Sequence, residues 1–157
     1  MIRNGFGQVE PNHLSAQRTG QIYAQLPAAS DIEVLENGQF VKYDYANGEV
    51  NFGDKGEWML VFNEVKLYGA RETYKDFALQ AANAVDGVIV PRVFKTNVGD
   101  IFTTNLVEGD VVLKDELSPN AQGKLAKGVS GATMKWQVVA VTTLADGQAA
   151  VKVMRIA

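Results

Sequence analysis

The residues that could support catalysis or metal binding are few and scattered along the chain. His13 is the only histidine, and there is no cysteine. A catalytic triad, a histidine base elsewhere in the chain and a thiolate metal site are therefore excluded. Residues 128–132, GVSGA, resemble a nucleophile elbow but end in alanine and lack a base. We expect no catalytic residue, no cofactor and no metal ion, and hence a protein that is not an enzyme.

Paired carboxylates are the remaining catalytic option, because a glycosidase needs only two Asp or Glu side chains about 5–10 Å apart. A β domain of this size scatters several carboxylates, so we expect these to be structural. Asp110 and Asp115 alone supply too few oxygen ligands for calcium. The candidates are Asp54, Glu57, Asp110, Asp115 and Glu116.

Aromatic side chains could form a flat platform for a sugar or a nucleobase. On alternating strands such residues more often pack into a core or pair across strands, and we favour that interpretation. A carbohydrate-binding or carbohydrate-cleaving β module stays open as an alternative. The candidates are Tyr43, Tyr45, Phe52, Trp58 and Phe62.

Composition indicates an ordinary globular protein. The chain has 157 residues, 46% of them hydrophobic and 21% charged, with a net charge of −3. Its lysines and arginines are dispersed, which argues against an oligonucleotide-binding barrel and against nucleic acid as a partner. No stretch approaches the roughly 18 apolar residues of a membrane span, and the start lacks the apolar core of a secretory signal. We expect no membrane partner.

Hairpin signals dominate the sequence after Pro27. Asn37-Gly38 and Asn47-Gly48 lie between alternating segments, which predicts a three-stranded meander. Residues 57–67 predict a buried strand, and residues 88–94, 100–106, 110–114 and 124–127 predict further short strands. Residues 136–157 predict a hairpin that turns at residues 145–148. This spacing indicates a small antiparallel β-barrel or sandwich.

One short helix is predicted at about residues 72–83. Tyr74, Phe77, Ala78 and Ala81 fall on one face of a helical repeat there. The fold class is therefore mainly β with one helix. Residues 27–157 form the globular domain, which could also divide into subdomains at 27–87 and 88–157. Residues 1–26 read as an extended N-terminal arm, because glycines and Pro11 interrupt any regular element.

The arm is predicted to take its shape from a partner protein. Ordering twenty residues costs on the order of 20–40 kcal/mol of backbone entropy. Burial of its side chains Ile2, Phe6, Val9, Leu14, Ile22 and Tyr23 contributes on the order of 9–18 kcal/mol. Contacts with another protein would supply the remainder. The predicted partner-binding residues are Ile2, Phe6, Val9 and Leu14 as apolar anchors, and Arg3, Gln8, Asn12 and Gln17 as polar bridges.

Three stretches resemble small head proteins of tailed bacteriophages. They are residues 35–41 with 44–48, residues 98–105 with 108–110, and residues 145–153. The family is that of the capsid decoration, or cement, proteins. The resemblance implies a β-barrel or β-tulip domain that binds the outer surface of a phage capsid, with an N-terminal arm that bridges neighbouring subunits.

That resemblance implies the major capsid protein and neighbouring copies of the chain as partners. It also implies an oligomeric state on the shell and a location in the virion, assembled in the host cytoplasm. A second virion role, as a tail or baseplate adaptor, would need the same kind of arm and stays open.

Overall fold

The computed structural model describes residues 1, 3–15, 25–63 and 77–157. Within these ranges the chain is mainly β, as predicted, and its two complete helical elements are single turns of 3₁₀ helix, Ala81–Asn83 and Val85–Gly87. The strands are β1 (Val9–His13), β2 (Val34–Glu36), β3 (Phe40–Asp44), β4 (Glu49–Asn51), β5 (Trp58–Val61), β6 (Ala78–Gln80), β7 (Val93–Phe94), β8 (Ile101–Thr104), β9 (Val107–Glu108), β10 (Glu116–Pro119), β11 (Leu125–Ala126), β12 (Trp136–Thr143) and β13 (Ala149–Arg155).

The largest sheet joins the two ends of the chain. Its strand order is β1-β8-β13-β12-β10-β11-β9, and only the β11–β9 pair is parallel. β1 and β9 are the two outer strands and do not pair with each other in the described part of the chain. The sheet is therefore open there, and the barrel form is not observed.

A second unit is inserted between β1 and β8. β4, β3, β5 and β7 form a four-stranded antiparallel sheet in that order, and β2 and β6 form a separate pair. Alternating residues of the four-stranded sheet enter two cores, because successive side chains on a strand lie on opposite faces. Phe40 and Leu60 belong to the first core, whereas Val41 and Met59 belong to the second. This sheet is consequently the middle layer.

The first core lies between the seven-stranded and four-stranded sheets. The rings of Phe40 and Trp136 are 5.8 Å apart, and those of Phe102 and Trp136 are 4.9 Å apart and edge-on. These residues are fully buried, which fixes the packing of the two sheets. The core comprises Leu14, Phe40, Leu60, Phe102, Val107, Leu117, Leu125, Met134, Trp136, Val138, Val151 and Val153.

Two predicted hairpins are confirmed. Asn47-Gly48 lies in the turn between β3 and β4, with Gly48 at a φ of +68°. Residues 145–148 connect β12 and β13, the longest paired strands of the described chain. Local turn chemistry was sufficient to identify both, because each turn links strands that are neighbours in sequence and in space.

The first predicted Asn-Gly hairpin is wrong. β2 pairs with β6, whereas β3 pairs with β4 and β5. Asn37 takes part in contacts distant in sequence: its Oδ1 accepts from the Asn63 backbone N–H at 2.7 Å, and its Nδ2 donates to the Asn63 carbonyl at 3.0 Å. Those contacts direct the chain from one sheet to the other at Asn37-Gly38.

The helix prediction is wrong where it can be compared. Ala78–Gln80 is strand β6, whose Leu79 pairs with Leu35 of β2. Pairing with a distant strand overrides the helical pattern of the sequence. Residues 72–76 lie outside the described residues. The strand predicted at residues 110–114 is also absent, because the chain turns there with Lys114 at a φ of +74°.

Candidate functional site

Residues 3–15, here called the N-terminal segment, are held by their own domain. β1 pairs along β8, and Leu14 is only 5% exposed within the first core. Ser15 then donates to the Asp100 carboxylate from its backbone N–H at 3.0 Å and from its Oγ at 2.7 Å. The expectation that a partner protein orders this arm is therefore corrected for residues 3–15. The free-energy estimate for ordering the arm included the burial of its apolar side chains. It did not include the backbone pairing of β1 with β8, two strands that are far apart in sequence.

A group of three polar side chains, here called the polar clasp, holds the residues that precede β1. Its members are Asn105, Asp146 and Gln148. Asn105 Oδ1 accepts from the Gln8 backbone N–H at 2.7 Å, and Asn105 Nδ2 donates to the Phe6 carbonyl at 3.2 Å. Asn105 Nδ2 also donates to Gln148 Oε1 at 3.1 Å. The clasp thus supplies an acceptor for the buried Gln8 N–H, a group that would cost free energy if it were buried without one.

Asp146 is the charged member of the clasp. Its Oδ2 accepts from Gln8 Nε2 at 3.1 Å, and its Oδ1 accepts from the Gln148 backbone N–H at 3.1 Å. Burial acts to raise the pKa of Asp146, but the hydrogen bonds from Gln148 and then Gln8 outweigh it, so the pKa lies below its usual value of 3.8. The ionised carboxylate is therefore the form that holds the segment.

The predicted partner-binding residues make contacts within the chain. Arg3 Nη1 lies 2.8 Å from Glu36 Oε2, which joins the segment to β2. Asn12 Oδ1 accepts from Thr103 Oγ1 at 2.8 Å, and Val9 packs against the first core. Ile2 and Gln17 lie outside the described residues. Whether any of these side chains also contacts a partner stays a prediction.

Phe6 contributes to an apolar groove that the sequence analysis did not identify. The groove is lined by Phe6 and residues 77–80, 83–84 and 88–90. Phe77, Val88 and Val90 remain 36%, 48% and 44% exposed, whereas Ile89 is buried and its carbonyl accepts from the Ala28 N–H. Residues 88–90 are Val-Ile-Val, and the sequence analysis assigned them to a short strand at residues 88–94. The structure has a strand only at Val93–Phe94, and Val88 and Val90 lie at the surface.

The candidate carboxylates differ in their ion pairing. Asp54 lies on the groove of the β3–β4 hairpin and has no ion-pair partner in the described ranges. The other four form ion pairs, and no two of them share a cation. These contacts are Glu57 with Arg155 and Lys95 at 3.3 and 3.5 Å, Asp110 with the Met1 nitrogen at 2.8 Å, Asp115 with Lys127 at 3.2 Å, and Glu116 with Lys135 at 3.3 Å.

His13 lies at the exposed end of β1. Across the described ranges, no group of three or more His, Asp or Glu side chains is placed to hold a metal ion.

The candidate aromatic residues occupy different environments. Lys42 Nζ lies 4.3 Å from the centre of the Trp58 ring, and Phe62 packs 6.2 Å from Phe94. Tyr43 is buried in the second core, whereas Tyr45 is 70% exposed beside it. A continuous platform of all five is therefore not formed, and only Tyr45 presents most of its ring to solvent.

Comparisons with known proteins leave the family open. No family model matches the chain, and neither the curated proteins nor the solved structures include a significant match. Among the helices of the described residues, none has the length and apolar character needed to cross a membrane.

Proposed function

We propose that this protein is a non-enzymatic structural protein of a tailed-phage virion. In this role it binds the outer surface of the capsid and links neighbouring subunits. The major capsid protein and other copies of the chain are its partners, and the bound form is oligomeric. The resemblance of residues 35–41 with 44–48, 98–105 with 108–110 and 145–153 to decoration proteins supports the proposal, together with the mainly β architecture.

The apolar groove beside Phe6 is the observation that carries the proposal. Adjoining exposed apolar side chains on a small domain are a feature of protein–protein contact surfaces. Between about a third and a half of the surface of Phe77, Val88 and Val90 is exposed. Covering them would contribute on the order of 1 kcal/mol each. Such a contact is weak alone, but a shell repeats it in every copy, so the sum over many sites stabilises the shell.

The N-terminal segment has a positioning role in this proposal. Phe6 lines the groove directly, and the polar clasp fixes the backbone on both sides of it through Gln8 and Asn4. Arg3, Val9 and Leu14 hold the segment against the domain. The segment therefore shapes the contact surface. In this proposal the groove, and not the segment, makes the contact with neighbouring subunits.

A binding experiment with matched charge insertions tests the proposal. Val88→Glu places a carboxylate in the groove, and Val98→Glu places one at a turn residue that is 66% exposed and outside the groove. We expect Val88→Glu to lose co-sedimentation with the encoding phage's capsids, whereas Val98→Glu and the wild type retain it. Equal binding by both variants would contradict the role of the groove.

Electron microscopy tests the location. Antibody-labelled particles should carry the label over the whole head. Label confined to the tail or baseplate would overturn the capsid assignment and support the adaptor role. Particles without label would overturn the virion assignment altogether.

A further inference from the structure

A second groove lies at the β3–β4 hairpin, in the inserted unit. It is lined by residues 43–47, residue 51 and residues 53–56. The rings of Tyr43 and Tyr45 are 5.3 Å apart with an interplanar angle of 37°. Tyr43 is buried and supports Tyr45 from within, while most of the Tyr45 ring is open to solvent. A supported aromatic ring loses little conformational freedom when a ligand stacks on it.

The turn beneath this ring is rigid. Asp44 Oδ1 accepts from the backbone N–H groups of Ala46 and Asn47 at 3.1 and 3.2 Å. Asp44 Oδ2 accepts from Asn47 Nδ2 at 2.9 Å, which fixes the orientation of that amide. The next turn is fixed in the same way, since Asn51 Oδ1 accepts from the Gly53 N–H at 2.9 Å. The polar groups around Tyr45 are therefore preorganised, which reduces the entropy lost on binding.

Polar side chains at the rim remain available for a ligand. Asp54 and Lys55 line the groove and make no hydrogen bond or ion pair to the described residues. Together with the Tyr45 hydroxyl, they supply one charged acceptor, one charged donor and one group of both kinds. An aromatic face flanked by fixed amides and by unpaired donors and acceptors is suited to a ring that has an apolar face and hydroxyl edges.

We propose that the Tyr45 groove binds a neutral saccharide. One face of the sugar ring would stack on Tyr45, and its hydroxyl groups would hydrogen-bond to Asp54, Lys55 and Asn47. The charges of the lining residues favour a neutral ligand over a nucleotide, because Asp44 and Asp54 outnumber the single Lys55 and would repel phosphate. The inference does not depend on the virion role, since it concerns a different surface.

Ligand-observed saturation-transfer NMR on the full chain tests this proposal. The probes are the methyl glycosides of glucose, galactose, mannose and N-acetylglucosamine at millimolar concentration, with a thymidine decanucleotide as the charged comparison. We expect transfer to at least one glycoside, and not to the oligonucleotide. Tyr45→Ala should weaken that binding by about tenfold or more, whereas Tyr45→Phe, which retains the ring, should retain most of it.

Two further variants separate binding from folding. Asp54→Ala removes a rim group without a partner in the described residues, so it should weaken binding and leave the melting temperature unchanged. Val141→Ala alters a 58% exposed residue of β12, outside the groove, and should bind as the wild type does. The proposal is overturned if no glycoside shows transfer, if Tyr45→Ala binds like the wild type, or if the oligonucleotide binds through Tyr45.

Discussion

The backbone N–H of Gln8 donates to Asn105 Oδ1 at 2.7 Å, across 97 residues of sequence. Gln8 and Asn105 are 4% and 1% exposed, so this hydrogen bond is screened from water. It places the N-terminal segment beside the loop that follows β8 and thereby orients Phe6 toward the apolar groove. Residues 3–15 are for this reason part of the domain and of its candidate contact surface.

Asn105→Ala should destabilise the domain by about 1–3 kcal/mol, because the buried Gln8 N–H would lose its acceptor. Urea unfolding measures the change. Hydrogen exchange should also become faster at the amides of residues 4–9. Asn83→Ala is the control, since Asn83 is exposed and makes no hydrogen bond to the described residues. Its effect should stay within about 0.5 kcal/mol.

Leu14→Ala should cost about 2–5 kcal/mol of unfolding free energy, because Leu14 fills part of the first core. Removing residues 1–15 should have a larger effect and lower the melting temperature of the isolated chain. Val98→Ala, at an exposed turn, is the matched surface control. A truncated protein as stable as the full chain would show that the segment owes its order to something other than its own domain.

Gly123→Ala should be more damaging than Gly128→Ala, although both glycines have a φ near +70°. A Cβ at Gly123 would collide with the backbone carbonyl of Phe40, whose N–H donates to the Gly123 carbonyl at 2.7 Å. A Cβ at Gly128 has no neighbour within 4 Å. The left-handed backbone costs each variant about 1–2 kcal/mol, and the collision adds about 1–3 kcal/mol at Gly123 alone. Equal losses in thermal unfolding would contradict this contact.

Asp146→Asn should alter how stability depends on pH. The folded-state pKa of Asp146 is lowered, so its contribution is present above the unfolded pKa and is lost as pH falls through the folded pKa. The gap in unfolding free energy between wild type and variant should therefore be constant above about pH 5 and shrink at lower pH. Urea unfolding from neutral to acidic pH measures the gap. A gap that does not change with pH would contradict the role of the carboxylate.

Sequence patterns located the local features of this chain well. Asn47-Gly48 and residues 145–148 were identified as hairpin turns, because a two-strand turn is encoded by the residues within it. The buried strand at Trp58–Val61 was predicted from its apolar run. The mainly β character follows from the same short-range signals, whereas the core interpretation favoured for the aromatic residues does not hold for Tyr45, which is 70% exposed.

Tertiary structure alone decided which distant segments meet. β2 pairs with β6 and β1 pairs with β8, and neither choice is encoded in a turn. The pairing of Ala78–Gln80 overrode a helical repeat, and the contact of Asn37 with Asn63 overrode an Asn-Gly hairpin. The polar clasp and the groove beside Phe6 also depend on these long-range pairings. Their hydrogen bonds and burial form only when these distant strands have paired in the folded chain, so no local pattern of residues could have indicated them.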